Sequence, residues 1–179
     1  METLADSLRW ITAPLELVFD LEREREAAFR LEFEKLAESD DDPLGQWLKL
    51  ARARGETKES DPVMLAILVE LHHKIDELTA RLNGEEKVRL DLGGPVRVEG
   101  INYTHFLLQE PQLIAGERYY GRMRMPVFPQ REIPLYFLAK EPTVGELAIL
   151  HERDQKAWDA YTASRERAMI RQMKGKSHE

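Results

Sequence analysis

The stretch that most limits what this chain can become is residues 62–82. Leu68, Ile75 and Leu82 recur every seven residues, and Met64, Leu71 and Leu78 do the same, offset by three or four. Apolar residues at both a and d positions, sustained over about three heptads, form a seam that one helix presents to another. Asp61 is placed to cap that helix, with Pro62 in its first turn, where a missing N–H is harmless. Asn83-Gly84 supplies a stop. Lys74 and Arg81 fall at g, Leu65, His72 and Thr79 at e, and Ile67 widens the stripe beyond a strict two-helix seam. Two readings follow: an amphipathic core helix of this chain, or an oligomerisation helix with Met64, Leu68, Leu71, Ile75, Leu78 and Leu82 as its interface. The regularity favours the second, with a homo-oligomer as the result. His72 and His73 are adjacent, so their rings point about 100° apart and cannot share a metal ion.

Residues 14–83 as a whole read as helical. A first helix is expected from Ala13 or Pro14 to Glu38, with Pro14 at its start and Leu17, Leu21, Ala28, Phe29 and Leu36 in a loose helical spacing. Its middle, Glu22-Arg-Glu-Arg-Glu26, reads as a solvated face with i,i+4 charge pairs. Asp40-Asp-Asp-Pro reads as a helix stop and cap, because the glycine and glutamate of a calcium loop do not follow. A shorter helix over 43–54 ends before Gly55.

From residue 85 the pattern changes to short β-type runs broken by Gly and Pro. Lys87-Val-Arg-Leu-Asp-Leu92 alternates polar and apolar, and Gly93-Gly94-Pro95 reads as a hairpin turn. Residues 96–103 alternate again, with Gly100 marking a bulge or close approach. Residues 118–125 alternate most clearly, and 133–139 and 145–151 complete five antiparallel-type strands with no helix between them. That spacing points to a small barrel or strongly curled sheet. A helix over 153–174 closes it, with Trp158, Tyr161 and Ala168 available to lie on the sheet. The expected fold class is therefore α+β, a small antiparallel barrel with N-terminal helices, a heptad helix and a C-terminal helix. The expected domains are an N-terminal helical region (1–60), the heptad helix (61–84) and the barrel with its closing helix (85–179).

The residues Val98-Glu-Gly-Ile-Asn-Tyr103, Leu113-Ile-Ala-Gly-Glu117, Met123-Arg-Met-Pro126, and Asp154 with Tyr161 and Arg165-Glu-Arg167 follow one another in an order that resembles the PilZ domain. The resemblance covers roughly 87–173, and the heptad helix is similar to that of atypical members with a helical insert. It implies a barrel fold and a setting in bacterial motility, type IV pilus or flagellar control, or virulence signalling. The family binds cyclic di-GMP through an Arg-x-x-x-Arg segment before the barrel and an Asp/Asn-x-Ser-x-x-Gly strand. Aligned on Gly100, this chain has Arg97 in place of the serine and Pro95 in place of the acidic residue. Residues 85–89 hold no arginine pair. The nucleotide candidates left are Arg89, Arg97 and Gly100, and a bidentate, stacked arginine contact has no point-charge substitute. These departures argue against cyclic di-GMP as ligand. The alternative is a cyclic di-GMP receptor with a rebuilt site.

The remaining constraints are mostly exclusions. The 179 residues contain no cysteine, which removes disulfides, thiol nucleophiles and cysteine-based metal sites. Asp and Glu number 33 against 26 Lys and Arg, a net charge of −7 that argues against nucleic acid as partner. No apolar run approaches the ~20 residues of a membrane span, and a cytoplasmic protein is expected. Phosphate-loop, nucleophile-elbow and His-Glu-x-x-His motifs are absent, so no enzyme, cofactor or metal site is expected. His105 reads as a loop histidine, and Arg118, Arg122 and Arg124 as a solvated barrel face. Arg165, Arg167, Arg171, Lys174 and Lys176 make the C-terminal helix end basic, which suits the helix dipole or a docking patch for an anionic surface.

Overall fold

Residues 11–21 read Ile-Thr-Ala-Pro-Leu-Glu-Leu-Val-Phe-Asp-Leu, and their period-two alternation makes a strand where a helix was expected. The computed structural model, which describes residues 3–38, 43–82, 89–126 and 131–176, has them as β1 (Ile11–Leu21). Ile11, Ala13, Leu15 and Leu17 are buried while Thr12, Pro14 and Glu16 are exposed. The expected helix over 14–38 is thus overturned in its first half. Its loose spacing straddles β1, a 3-10 turn (Glu22–Glu24) and a helix, α2, that begins only at Glu26 (Glu26–Glu38). Pro14 starts no helix. It falls at a register shift between Thr12 and Leu15, the kind of strand position that tolerates a missing N–H.

A short α1 (Leu4–Ser7) precedes β1. After α2 come α3 (Pro43–Ala53), α4 (Pro62–Leu82), β2 (Val96–Ile101), β3 (His105–Leu108), β4 (Arg118–Met125), β5 (Arg131–Glu141), β6 (Val144–Ile149) and α5 (Glu152–Lys176). The six strands close into an antiparallel barrel in the order β1-β2-β3-β6-β5-β4. β1 closes it, pairing with β2 through Ile11–Leu17 and with β4 through Glu16–Leu21. The chain divides into a barrel unit, Met1–Phe33 with Leu90–Glu179, and a second unit, Glu34–Arg89. The heptad helix therefore belongs to a segment inserted between β1 and β2, where the expected division at 60 and 84 had it ahead of a complete barrel.

Inward-facing residues of every strand fill the barrel, among them Leu17, Val98, Phe106, Met123, Ile133 and Phe137. Tyr119 stacks on Phe137 at 5.2 Å, and Phe106 meets the same ring edge-on at 5.0 Å. Opposite Phe106 sits Gly145, where a Cβ would lie 2.3 Å from the ring, so only glycine fits there. Trp158 of α5 is buried against this core and donates its indole N–H to the Asn102 carbonyl at 3.1 Å. Tyr161 lies half-buried beside it. The Gly100 bulge is present as a register shift between Val98 and Gly100. His105 is on a strand, not a loop. Asn102 Oδ1 accepts from the backbone of Thr104 and His105, and this Asx turn delivers β3 beside β2.

The expected strand over 87–92 does not form where it is described. Residues 89–95 carry no strand, and 87–88 lie outside the described residues. Charged side chains take up the backbone groups that a neighbouring strand would have used. Leu90 N–H donates to Glu32 Oε2, and Leu90 C=O accepts from both Nη atoms of Arg122 at 3.1 Å. Asp91 C=O accepts from Arg25 at 2.7 Å, and Gly93 N–H donates to Asp20 at 3.2 Å. Gly93-Gly94 is accordingly part of this pinned segment and not a hairpin turn.

The same contacts correct the reading of the arginine face. Glu32 Oε1 accepts from Tyr120 OH at 2.8 Å and from Arg122 at 2.6 Å, and both side chains of the ion pair are almost wholly buried. Arg118 pairs with Glu22 at 3.1 Å and Arg124 with Glu16 at 3.1 Å. Phe29 stacks on Tyr120 at 4.9 Å and Phe33 meets Tyr136 at 5.2 Å, so the first turns of α2 roof this side of the barrel. Within Glu22–Glu26, Glu22 and Arg25 are tied to the barrel by these pairs and are not a solvated helix face.

Two outcomes follow. Replacing Glu32 with Ala leaves Arg122 buried with only the more distant Glu132 at 3.8 Å, and the urea midpoint should fall by an equivalent of about 3 kcal/mol. Burial, then the neighbouring Glu32 carboxylate, pushes the Tyr120 hydroxyl well above its ordinary value of 10.0. Burial, reinforced by Glu22 against Arg30 and Arg118, pushes Tyr136 up to about 12. Both phenols hold their protons more tightly folded than unfolded. Their contribution to stability is full below the unfolded value of 10.0 and is lost as pH rises from there. The tyrosinate absorbance of these two phenols, isolated by difference from Tyr120→Phe and Tyr136→Phe, should therefore rise together with loss of structure in an alkaline titration, and their ionisation ahead of unfolding would contradict this account.

Candidate functional site

The candidate site is the face of α4. Asp61 Oδ1 accepts from the backbone of Val63 at 2.8 Å and Met64 at 3.4 Å, so the helix is capped as its sequence predicts, with Pro62 as its first residue. Thereafter the heptad registers bring all six interface candidates to one side. Met64, Leu68, Leu71, Ile75 and Leu78 are 53–57% exposed and Leu82 is 88% exposed. Val63 and Ile67 extend the same face. Together these eight side chains leave on the order of 800 Å² of apolar surface in solvent, more than a typical monomer shows in one patch.

Ion pairs within the helix flank the stripe. On one edge Glu77 accepts from Lys74 at 3.3 Å and from Arg81 at 2.8 Å. Burial pushes the Glu77 carboxyl up, but those two cations outweigh it and hold the group below its ordinary value. On the other edge His72 lies 3.0 Å from Asp76. The histidine pair thus divides as its geometry requires, and among the described residues no cluster of three His, Asp or Glu is arranged to hold a metal ion.

Among the described side chains of α4, the half-buried ones are Leu65, Val69 and Glu70, near its start. From Leu71 onward every described side chain, 71–79 with 81 and 82, is exposed on all sides of the helix. A free helix of such length is marginal in water, because propagation over about 12 residues barely repays nucleation. An apolar stripe runs through that half.

The nucleotide candidates fall in different parts of the chain. Arg89 belongs to the second unit, while Arg97 and Gly100 lie on β2 of the barrel. Arg97 is exposed, and Gly100 is buried with Trp10 and Leu107 against the position a Cβ would take. A shallow cleft of about 220 Å³ there is lined by Trp10, Thr12, Glu99, Gly100 and Leu107, and its one charged side chain is acidic. Because the barrel starts at β1, the segment directly before it is 3–10, and its single arginine, Arg9, pairs with Glu166 at 3.5 Å. His105 is held by Thr104 at 2.8 Å, and burial lowers its pKa despite Glu146 at 4.0 Å. No sequence signal pointed to the buried Glu32–Tyr120–Arg122 cluster, whose partners lie far apart in the chain.

No family model, no curated protein and no solved structure matches this chain. Among the described residues, no helix is long and apolar enough to cross a membrane.

Proposed function

We propose that the chain is a non-enzymatic interaction protein that self-associates through α4, carried on a PilZ-like barrel. The observation that carries this reading is the half of α4 from Leu71 to Leu82, exposed on every side yet apolar along one. A second copy presenting the same stripe satisfies both needs at once. It covers the apolar residues, and it supplies the packing that a helix of this length requires. The exposed area is about what one partner contributes to an interface of standard size. The arc from Val63 through Leu68 is wider than an a/d seam, so bundles of more than two helices are accommodated.

The resemblance to the PilZ family is supported by a six-stranded antiparallel barrel with a helix packed at its end. On that resemblance the setting is bacterial motility, pilus, flagellar or virulence signalling in the cytoplasm, with action through bound proteins and no catalysis, cofactor or nucleic acid. Ligand chemistry of the family kind is disfavoured by Pro95, by Arg97 in the serine position, and by the lone Arg9 ahead of β1. The second reading, a cyclic di-GMP receptor with a rebuilt site, draws on one feature, the exposed and unpaired Arg97 three residues before Gly100 on β2.

Light scattering should give a mass of two or more times 20.8 kDa, with a melting temperature that rises with protein concentration. Leu71→Glu with Ile75→Glu should return the mass to that of a single chain and abolish the concentration dependence; an unchanged mass sinks the α4 interface. Calorimetric titration with cyclic di-GMP should give no binding heat, whereas micromolar binding lost in Arg97→Ala would establish the receptor.

A further inference from the structure

The barrel unit pairs its cations thoroughly. Arg9, Arg23, Arg25, Arg118, Arg122, Arg124, Lys140 and Lys156 each lie within ion-pair distance of a carboxylate. Arg165 donates to the Thr12 carbonyl at 2.7 and 3.0 Å. Among the described side chains of this unit, the cations with no such partner are Arg97, Arg167, Arg171 and Lys174. Three of those four stand on one helix at spacings of four and three, which is a single row along α5.

The row sits where α5 leaves the barrel. Asp154, Trp158 and Thr162 are buried, and Ala157, Tyr161 and Met169 pack on the core. Beyond Met169 the side chains turn to solvent: Ile170, Arg171, Gln172, Met173 and Lys174 are all exposed. Ile170 and Met173, spaced by three, make an apolar ridge alongside the cations. A favourable helix dipole accounts for cations in the last turn. It does not account for Arg167, more than two turns from the end, or for the adjoining ridge.

We propose that this face of α5 docks an acidic amphipathic helix of a partner protein. Carboxylates at the same i, i+4, i+7 spacing would meet Arg167, Arg171 and Lys174 in register, with the partner's apolar edge on Ile170 and Met173. Arginine's planar fork suits carboxylate pairing at such a surface. A membrane is the poorer fit, since recognition of anionic headgroups takes clusters of about four to eight cations. This chain offers a short row on a protein of net charge −7. The docking face lies in the barrel unit and is independent of the α4 interface.

The test uses the full chain and two labelled synthetic helices with leucines along one edge, one carrying glutamates at i, i+4 and i+7, the other glutamines. Fluorescence anisotropy should show the glutamate peptide binding with an affinity that falls as salt is raised, and the glutamine peptide at least tenfold more weakly. Combined Arg167→Gln, Arg171→Gln and Lys174→Gln substitutions should weaken binding about tenfold, and Arg97→Gln should leave it unchanged. Ile170→Ser with Met173→Ser should also weaken it, which a diffuse electrostatic attraction would not show. Equal affinity for both peptides, indifference to the triple substitution or to the apolar pair, or tighter binding to phosphatidylserine vesicles than to the glutamate peptide would each overturn the proposal. All the substituted side chains are exposed, so circular dichroism should report an unchanged fold.

Discussion

One buried carboxylate ties together the place where the chain leaves the barrel unit and the place where it returns. Glu32 precedes the last residue before the inserted segment, and its two oxygens receive Tyr120, Arg122 and the backbone N–H of Leu90, the first residue after it. A carboxylate out of water is tolerable only when its acceptors are filled and its charge is matched. Arg122 supplies the charge and gives both Nη atoms to the Leu90 carbonyl, with its Nε 3.8 Å from Glu132. β1 and β2 are neighbours in the sheet although three helices separate them in sequence. Pinning residues 90–93 by side chains from α2, β4 and the end of β1 lets β2 begin at Val96 in the right register against β1.

The clamp also explains the aromatic layer outside the barrel. Tyr120 and Tyr136 point away from the interior and would be wet without α2. Phe29 and Phe33 cover them, and the Tyr120 hydroxyl is satisfied by the same Glu32 that holds Leu90. Charge, hydrogen bonding and apolar burial on this side therefore fail or stand together, because they share one residue. That coupling is the usual consequence of a low-dielectric network whose members share partners.

The two surfaces proposed for interaction differ in physics. The α4 stripe is apolar, with its own charges paired within the helix. Association there follows concentration and is little affected by salt. The α5 row is unpaired charge beside a small apolar ridge, and docking there weakens as the Debye length shortens. On these two proposals, subunit number and choice of an acidic partner would be separable by ionic strength.

The sequence alone determined the elements whose signals are local. Helix α4 followed from heptads with Asp61 and Pro62 at its start, β4 from strict alternation, and α5 from its uninterrupted helical pattern with Trp158 and Tyr161 toward the sheet. The exposed stripe of α4, and with it the candidate site, was legible residue by residue. The tertiary structure alone decided the rest. Residues 11–21 carry a short alternation that a charged, helix-rich continuation masks, and they become a strand because β2 and β4 offer two edges to pair with. Residues 89–92 alternate as a strand should, yet they form no strand, and Glu32, Arg122 and Arg25 hold the backbone of Leu90 and Asp91 instead. Arg122 looks like one of three solvated arginines until a glutamate from a distant helix buries it. Each of these outcomes depends on which distant group satisfies a backbone or charged atom. A local pattern records the need for such a partner but not its identity.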